Sequence, residues 1–266
     1  MIRKYREVAY YQRNNLIDLL FYPEYSLPKT GKRRKKSKAT SEGQAKLNKK
    51  NSDSKLIREV NSTFTSKDIR LDLTYDNEHL PASVEEAEKE MKKYIRRLKT
   101  AAKNCGIKKF QYVWVTENGS GNGRLHHHMI LTGGIPLDVL AEKWGKGYTT
   151  VKPLQFNETG IEALVRYMLK NPVSSGKVKY HSSRNLNQPV KRTRSGRISH
   201  LKAERIASFT DFSVIEKLYP GYRIVELSPF YNDVNGGYYC EVKLFKENRK
   251  KANEKKQRAG LYNLGV

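Results

Sequence analysis

Apolar and polar residues alternate with a period of two where the clearest patterning in the chain begins. Residues 69–75 read Ile-Arg-Leu-Asp-Leu-Thr-Tyr, and this alternation predicts a strand. Ser83 and Glu86 then form a capping box, after which apolar residues recur every three or four positions. This pattern predicts an amphipathic helix that begins at Ser83 and ends near Gly106.

The next stretch predicts a hairpin and two helices. Residues 110–117 and 124–132 are rich in β-forming side chains and flank a loop of Asn, Gly and Ser. A short helix over 136–144, a strand over 148–151 and an amphipathic helix over 157–170 follow. The order predicts an α+β fold, with a central antiparallel sheet of about five strands and helices on both of its faces.

The two ends of the chain are patterned less clearly. Apolar residues between positions 5 and 21 predict a small helical piece, and residues 42–61 are polar but compatible with a helix. Residues 171–205 are basic and lack periodicity, which predicts a loop region. Residues 222–227 and 238–245 predict a final hairpin around Asn-Gly-Gly.

These patterns predict three parts. Residues 1–68 are expected to form a basic N-terminal extension with helical character, and residues 69–210 the main domain. Residues 211–266 are expected to form a C-terminal hairpin and a basic tail packed on that domain.

The charge balance points to a polyanionic partner. The chain of 266 residues has 52 Lys plus Arg against 27 Asp plus Glu, a net charge of +25. Nucleic acid is the expected partner, because its phosphates release counterions when Lys and Arg bind; a ribosomal-type binder or simple solubility are the alternatives. Two distant cysteines argue against a zinc ribbon or a disulfide framework. With no secretory signal and no membrane-spanning stretch, the sequence predicts a cytoplasmic protein without a membrane partner.

Three consecutive histidines lie in the second strand of the predicted hairpin. His126 and His128 share one face because side chains alternate along a strand, and His127 points to the other. Glu117 ends the partner strand and is expected to lie beside them. Two imidazoles and a carboxylate leave open positions on a divalent ion, as a catalytic metal site requires. Packed or exposed histidines without a metal are the alternative.

A tyrosine lies at the edge of the apolar stripe of the helix over 157–170. Tyr167 is followed by Lys170 one turn later. A phenol is a poor nucleophile at neutral pH, but a nearby metal and a cation such as Lys170 improve it. A boundary tyrosine with a packing role is the alternative.

Three segments together resemble the HUH endonuclease superfamily, within it the rolling-circle replication-associated proteins of plasmids and filamentous phages. Residues 71–75 resemble its first motif, residues 123–131 its His-hydrophobe-His metal motif, and residues 167–170 its Tyr-x-x-Lys motif. His127 departs from the usual hydrophobe, so a shifted ligand pair stays open. A single tyrosine occupies the nucleophile turn, and Tyr180 is a spare candidate.

The resemblance implies a ferredoxin-like antiparallel sheet and a divalent ion, Mg²⁺ or Mn²⁺, held by His126, His128 and Glu117. It implies that Tyr167 attacks single-stranded DNA at a plasmid or phage origin, leaving a 5′-phosphotyrosine bond and a free 3′-hydroxyl. A host helicase and polymerase are the expected partners, and the oligomeric state stays open. A relaxase or transposase with the same chemistry, or a non-catalytic single-stranded nucleic-acid-binding protein, are the alternatives.

Basic residues of four segments are expected to contact DNA phosphates. They are Lys32, Arg33, Arg34, Lys35, Lys36, Arg124, Arg166, Arg184, Lys191, Arg192 and Arg194.

Overall fold

The computed structural model describes residues 4–25, 42–119, 123–176, 179–233 and 236–246. The strands are β1 (Lys4–Tyr11), β2 (Leu16–Glu24), β3 (Ile69–Thr74), β4 (Tyr112–Asn118), β5 (Leu125–Leu131), β6 (Thr149–Pro153), β7 (Pro172–Val173), β8 (His181–Ser182), β9 (Val190–Ser195), β10 (Arg223–Asn232) and β11 (Gly237–Phe245). The helices are α1 (Glu42–Thr63), α2 (Val84–Asn104), α3 (Leu137–Trp144), α4 (Glu162–Met168), α5 (His200–Ala207) and α6 (Ser213–Leu218).

The chain forms two compact units, each with its own sheet. The described residues of 46–188 form the first unit, and those of 1–45 and 189–266 form the second. These units differ from the sequence-based division at residues 68 and 210. Strand β2 pairs with β11 across more than two hundred residues, and no local pattern reveals such a pairing.

The first unit is built on an antiparallel sheet in the order β6-β3-β5-β4-β7, with β8 also pairing to β4. One face packs Leu71, Trp114 and Met129 against α2 and α3. The other face packs Val115 and Ile130 against α1 and α4. The α+β prediction with helices on both faces is therefore confirmed, and the predicted cap of α2 is present, with the Glu86 N–H donating to the Ser83 hydroxyl.

The second unit contains a sheet that the sequence pattern did not predict, in the order β10-β11-β2-β1-β9. The prediction of a helical piece within residues 5–21 is wrong, because β1 and β2 form an antiparallel hairpin there. Tyr5, Ile17 and Leu19 lie on the face that packs against α5 and α6. Their spacing fits an alternating strand once the turn at residues 12–15 is recognised.

The prediction that residues 171–205 form only a loop region is also wrong. It contains β7, β8, β9 and the start of α5. Strand β9 has no buried side chain and pairs with β1 at the edge of the second sheet. Because backbone hydrogen bonds hold such an edge strand, it needs no hydrophobic alternation, which explains the missing signal. No helix among the described residues combines the length and apolar character needed to cross a bilayer.

Candidate active site

Strand register brings the predicted metal ligands together. Glu117 of β4 lies directly opposite His126 of β5, and His128 lies two residues further along the same face. The rings of His126 and His128 are 4.9 Å apart between centroids. Glu117, His126 and His128 each offer a ligand atom, and these atoms all lie within 4.8 Å of one another.

The distances between donor atoms fit a shared cation. Glu117 Oε2 lies 3.2 Å from His128 Nε2 and 3.8 Å from His126 Nε2. Atoms bound to one ion at about 2.1 Å with angles near 90–110° are separated by roughly 3.0–3.4 Å. An imidazole lone pair and a carboxylate oxygen repel each other at such distances unless a proton or a metal ion lies between them. The residues present therefore fit a divalent metal ion.

Both imidazoles are oriented through their other nitrogen. His128 Nδ1 lies 2.6 Å from Asp72 Oδ1, and His126 Nδ1 lies 3.4 Å from the Arg124 carbonyl oxygen. If each Nδ1 carries the proton and donates it, each Nε2 presents its lone pair toward Glu117. A carboxylate behind a ligating histidine also raises its basicity, as in other metalloprotein sites.

Asp72 is a site residue that the sequence analysis missed. It lies on β3 opposite His128, and Arg70 Nε donates to the same carboxylate oxygen at 2.8 Å. Burial raises the pKa of Asp72, but the hydrogen bonds with His128 and Arg70 outweigh burial and lower it. The available signal was the alternation in residues 69–75, which places Asp72 on the face opposite Leu71.

His127 points to the opposite face of the sheet and is fully buried. Its Nε2 lies 2.8 Å from the Tyr75 hydroxyl, and its Nδ1 lies 3.0 Å from the Thr116 hydroxyl. Burial lowers the pKa of His127 to about 3, so its ring is neutral at physiological pH. The middle histidine thus occupies the position of a core residue, with its two polar atoms hydrogen-bonded.

Tyr167 lies next to the histidine pair. Its ring centroid is 5.3 Å from that of His128, at an interplanar angle of 63°. Val165 and Met168 of the same helix are buried, which anchors α4 to the sheet, while Tyr167 itself is 48% exposed. A phenol at this rim is within reach of a bound strand.

Two cations lie near this tyrosine in different ways. The guanidinium carbon of Arg70 is 5.2 Å from the centre of the Tyr167 ring. Helix α4 spans Glu162–Met168 and is shorter than the predicted 157–170, so Lys170 follows its end. The Lys170 N–H donates to the Tyr167 carbonyl, and its side chain is exposed. Arg70, which the sequence analysis did not single out, is therefore the cation in contact with the phenol ring.

The predicted DNA-contacting residues are distributed over both units. Arg124 donates to the Asn77 side chain and to the Tyr75 carbonyl, and Arg166 is paired with Glu162. Arg184 is exposed.

Other predicted contacts lie on the second unit or outside the described residues. Lys191, Arg192 and Arg194 lie on the exposed edge strand β9, where Arg192 stacks 4.9 Å from the Tyr11 ring centre. The run Lys32 to Lys36 lies outside the described residues.

The segment that carries both the histidine strand and the tyrosine helix matches a known protein family. Residues 68–172 match the model of a replication-associated protein family, the one named for the ORF2 replication proteins. The match is consistent with a rolling-circle replication protein. It covers less than half of the chain, and no curated protein or solved structure gives a significant match. The replication-associated family points to replication initiation and to DNA binding, in agreement with the net charge of +25.

Proposed function

We propose that this chain initiates rolling-circle replication by nicking and rejoining single-stranded DNA at a plasmid or phage origin. The observation that carries the proposal is the 5.3 Å separation between the rings of Tyr167 and His128, since His128 belongs to a group able to hold a metal ion. The family match supplies the replication context. Charge alone fits a non-catalytic binding protein equally well, but that alternative gives no reason for a phenol beside two imidazoles and a carboxylate.

In the proposed reaction the Tyr167 oxygen attacks the phosphorus of a phosphodiester in line with the leaving 3′ oxygen. A bond forms between the phenolic oxygen and phosphorus, and the bond between phosphorus and the 3′ oxygen breaks. The phenolic proton passes to solvent, and the departing oxygen takes up a proton to become a 3′-hydroxyl. The reverse sequence rejoins the strand, because the phosphotyrosine bond retains the phosphate ester.

Glu117, His126 and His128 are the residues that would hold the ion. A bound divalent ion polarises a phosphate oxygen and stabilises the negative charge that develops in the transition state. Of Mg²⁺ and Mn²⁺, the second is the better fit, because Mg²⁺ prefers oxygen ligands and two of these three ligands are nitrogen.

Arg70 and Lys170 are the proposed cations of the site. Arg70 is held by Asp72 at 2.8 Å while its guanidinium contacts the Tyr167 ring, so its position is fixed before substrate binds. A preorganised guanidinium stabilises both a phenolate and a phosphate without reorganisation at the moment of reaction. Lys170 follows the tyrosine on an exposed turn, where it is available to a phosphate of the bound strand.

The test is covalent capture of an oligonucleotide. The protein is incubated with Mn²⁺ and its own origin strand, and intact mass spectrometry measures protein linked to DNA. We expect an adduct on a peptide containing Tyr167, no adduct for Tyr167→Phe, and none for His128→Ala because its Nε2 is the donor closest to Glu117.

Tyr180→Phe is the matched control, since it removes the spare candidate hydroxyl and is expected to leave the adduct intact. An adduct that persists in Tyr167→Phe and disappears in Tyr180→Phe contradicts the assignment of the nucleophile. Binding without cleavage under every divalent metal favours the non-catalytic alternative. A relaxase or transposase shares the adduct and differs in its target sequence.

A further inference from the structure

A basic pocket lies on the α2 side of the first unit, on the opposite face of the sheet from the histidines. Its volume is about 600 Å³, and it lies between the exposed face of α2 and strands β4 and β8. Its walls combine cationic side chains with aromatic ones. None of these residues was assigned to DNA binding by the sequence analysis.

Five cations of α2 line this pocket. Lys89, Lys92, Lys93, Arg96 and Lys99 recur at intervals of three, one, three and three residues, which places them on one side of the helix. They extend over about 15 Å of helix axis, at 1.5 Å per residue. This length exceeds what a single phosphate occupies and suits a succession of phosphates along a strand.

Part of this charge is not neutralised within the protein. Lys92 lies 3.8 Å from Glu88, and Lys93 lies 2.6 Å from Glu90. Lys89, Arg96 and Lys99 have no carboxylate partner among the residues that the structure describes, and all three are exposed. Three adjacent unpaired cations repel one another, and an anionic ligand relieves that repulsion.

The opposite wall is aromatic and held in place. The His181 ring stacks on Trp114 with centroids 4.1 Å apart and planes 18° apart, where β8 pairs with β4. Glu88 of α2 accepts hydrogen bonds from the Ser174 and Ser175 hydroxyls, which ties the segment before β8 to the helix. A flat aromatic wall beside a row of cations matches a strand that presents both bases and phosphates.

Strand β4 connects this pocket to the candidate active site. Glu117 lies near the end of β4 on the histidine face, and Tyr112 begins β4 on the pocket side. The two are separated by about 17 Å along the strand, at 3.4 Å per residue. A DNA strand that passes the outer edge of β4, where β7 and β8 lie, needs only a few nucleotides to reach from one to the other.

We propose that this pocket binds the phosphate backbone of single-stranded DNA that flanks the nick, with a base against its aromatic wall. The identity of the strand rests on the proposed function, whereas binding at the pocket does not require cleavage. The pocket thus holds the flanking strand while the active site on the other face acts on the phosphodiester.

The experiment measures binding of a fluorescent single-stranded oligonucleotide by anisotropy, without divalent metal, across a range of salt concentrations. The variant is the triple substitution of Lys89, Arg96 and Lys99 by Gln. Each lost phosphate contact reduces the slope of log K against log salt by about 0.7, so we expect a reduction of about 2. At physiological salt this corresponds to roughly a tenfold to hundredfold loss of affinity. The single substitution Arg96→Gln is the milder variant, with an expected reduction of about 0.7.

The matched control replaces Lys67, Lys108 and Lys143 by Gln, which removes the same charge from exposed or half-exposed positions outside the pocket. We expect a small change of slope for this control. An equal loss in both triple variants, or an unchanged slope in the pocket variant, overturns the proposal. The adduct assay separates the two ideas. Normal adduct with unchanged binding refutes the pocket alone, and pocket-dependent binding without any adduct refutes only the nicking function.

Discussion

Replacing Asp72 by Asn tests whether the carboxylate behind His128 controls metal binding. The oxygen Oδ1 contacts His128 Nδ1 at 2.6 Å and Arg70 Nε at 2.8 Å, and an amide oxygen retains both contacts without the charge. A hydrogen bond to a charged group contributes about 1.5–3 kcal/mol and a neutral one about 0.5–1.5 kcal/mol. The difference of about 1.4 kcal/mol is about tenfold in affinity, at the lower end of the tenfold to hundredfold effect of such outer-shell partners.

The assay is the Mn²⁺ concentration that gives half-maximal adduct, together with direct calorimetric titration of Mn²⁺. We expect the midpoint to rise about tenfold and the adduct at saturating Mn²⁺ to remain near that of the unsubstituted protein. Asp76→Asn is the control, because Asp76 makes a 2.7 Å contact with His79 on an exposed loop away from the site. An unchanged midpoint, or a loss of adduct that excess Mn²⁺ does not restore, refutes the role of Asp72 in orienting His128.

Two further predictions concern the packing that supports the site. His127→Ala should lower the free energy of unfolding by about 3 kcal/mol, because it empties a fully buried position and leaves buried hydroxyls without a partner, whereas His126→Ala should cost less than about 1 kcal/mol; urea unfolding compares them. Gly160→Ala should cost about 2–3 kcal/mol, because φ is +73° and an added Cβ lies 2.3 Å from Asn61 Oδ1, the atom that accepts from the first N–H before α4. Gly176→Ala is its control, since nothing lies within 4 Å of the added Cβ, and an equal effect at both glycines contradicts the argument from Asn61.

Local patterns in the sequence determined the elements of the first unit and the face on which its histidines lie. The alternation of residues 69–75 and the hairpin around residues 118–123 are properties of neighbouring positions, and a strand period of two fixes that His126 and His128 share a face. The same period, applied to the hairpin, places Glu117 beside them. These predictions succeed because hydrogen-bonding geometry within a strand pair leaves a single choice of face once the register is set.

Only the tertiary structure decided which residues support that face. Strand β3 lies between β6 and β5, and this order brings Asp72 behind His128 and Arg70 against Tyr167. It likewise decided that the N-terminal segment forms a hairpin, since β2 is completed by β11 from the other end of the chain. Strand order depends on contacts between residues far apart in sequence, and the free energy of those contacts leaves no periodic mark in either partner.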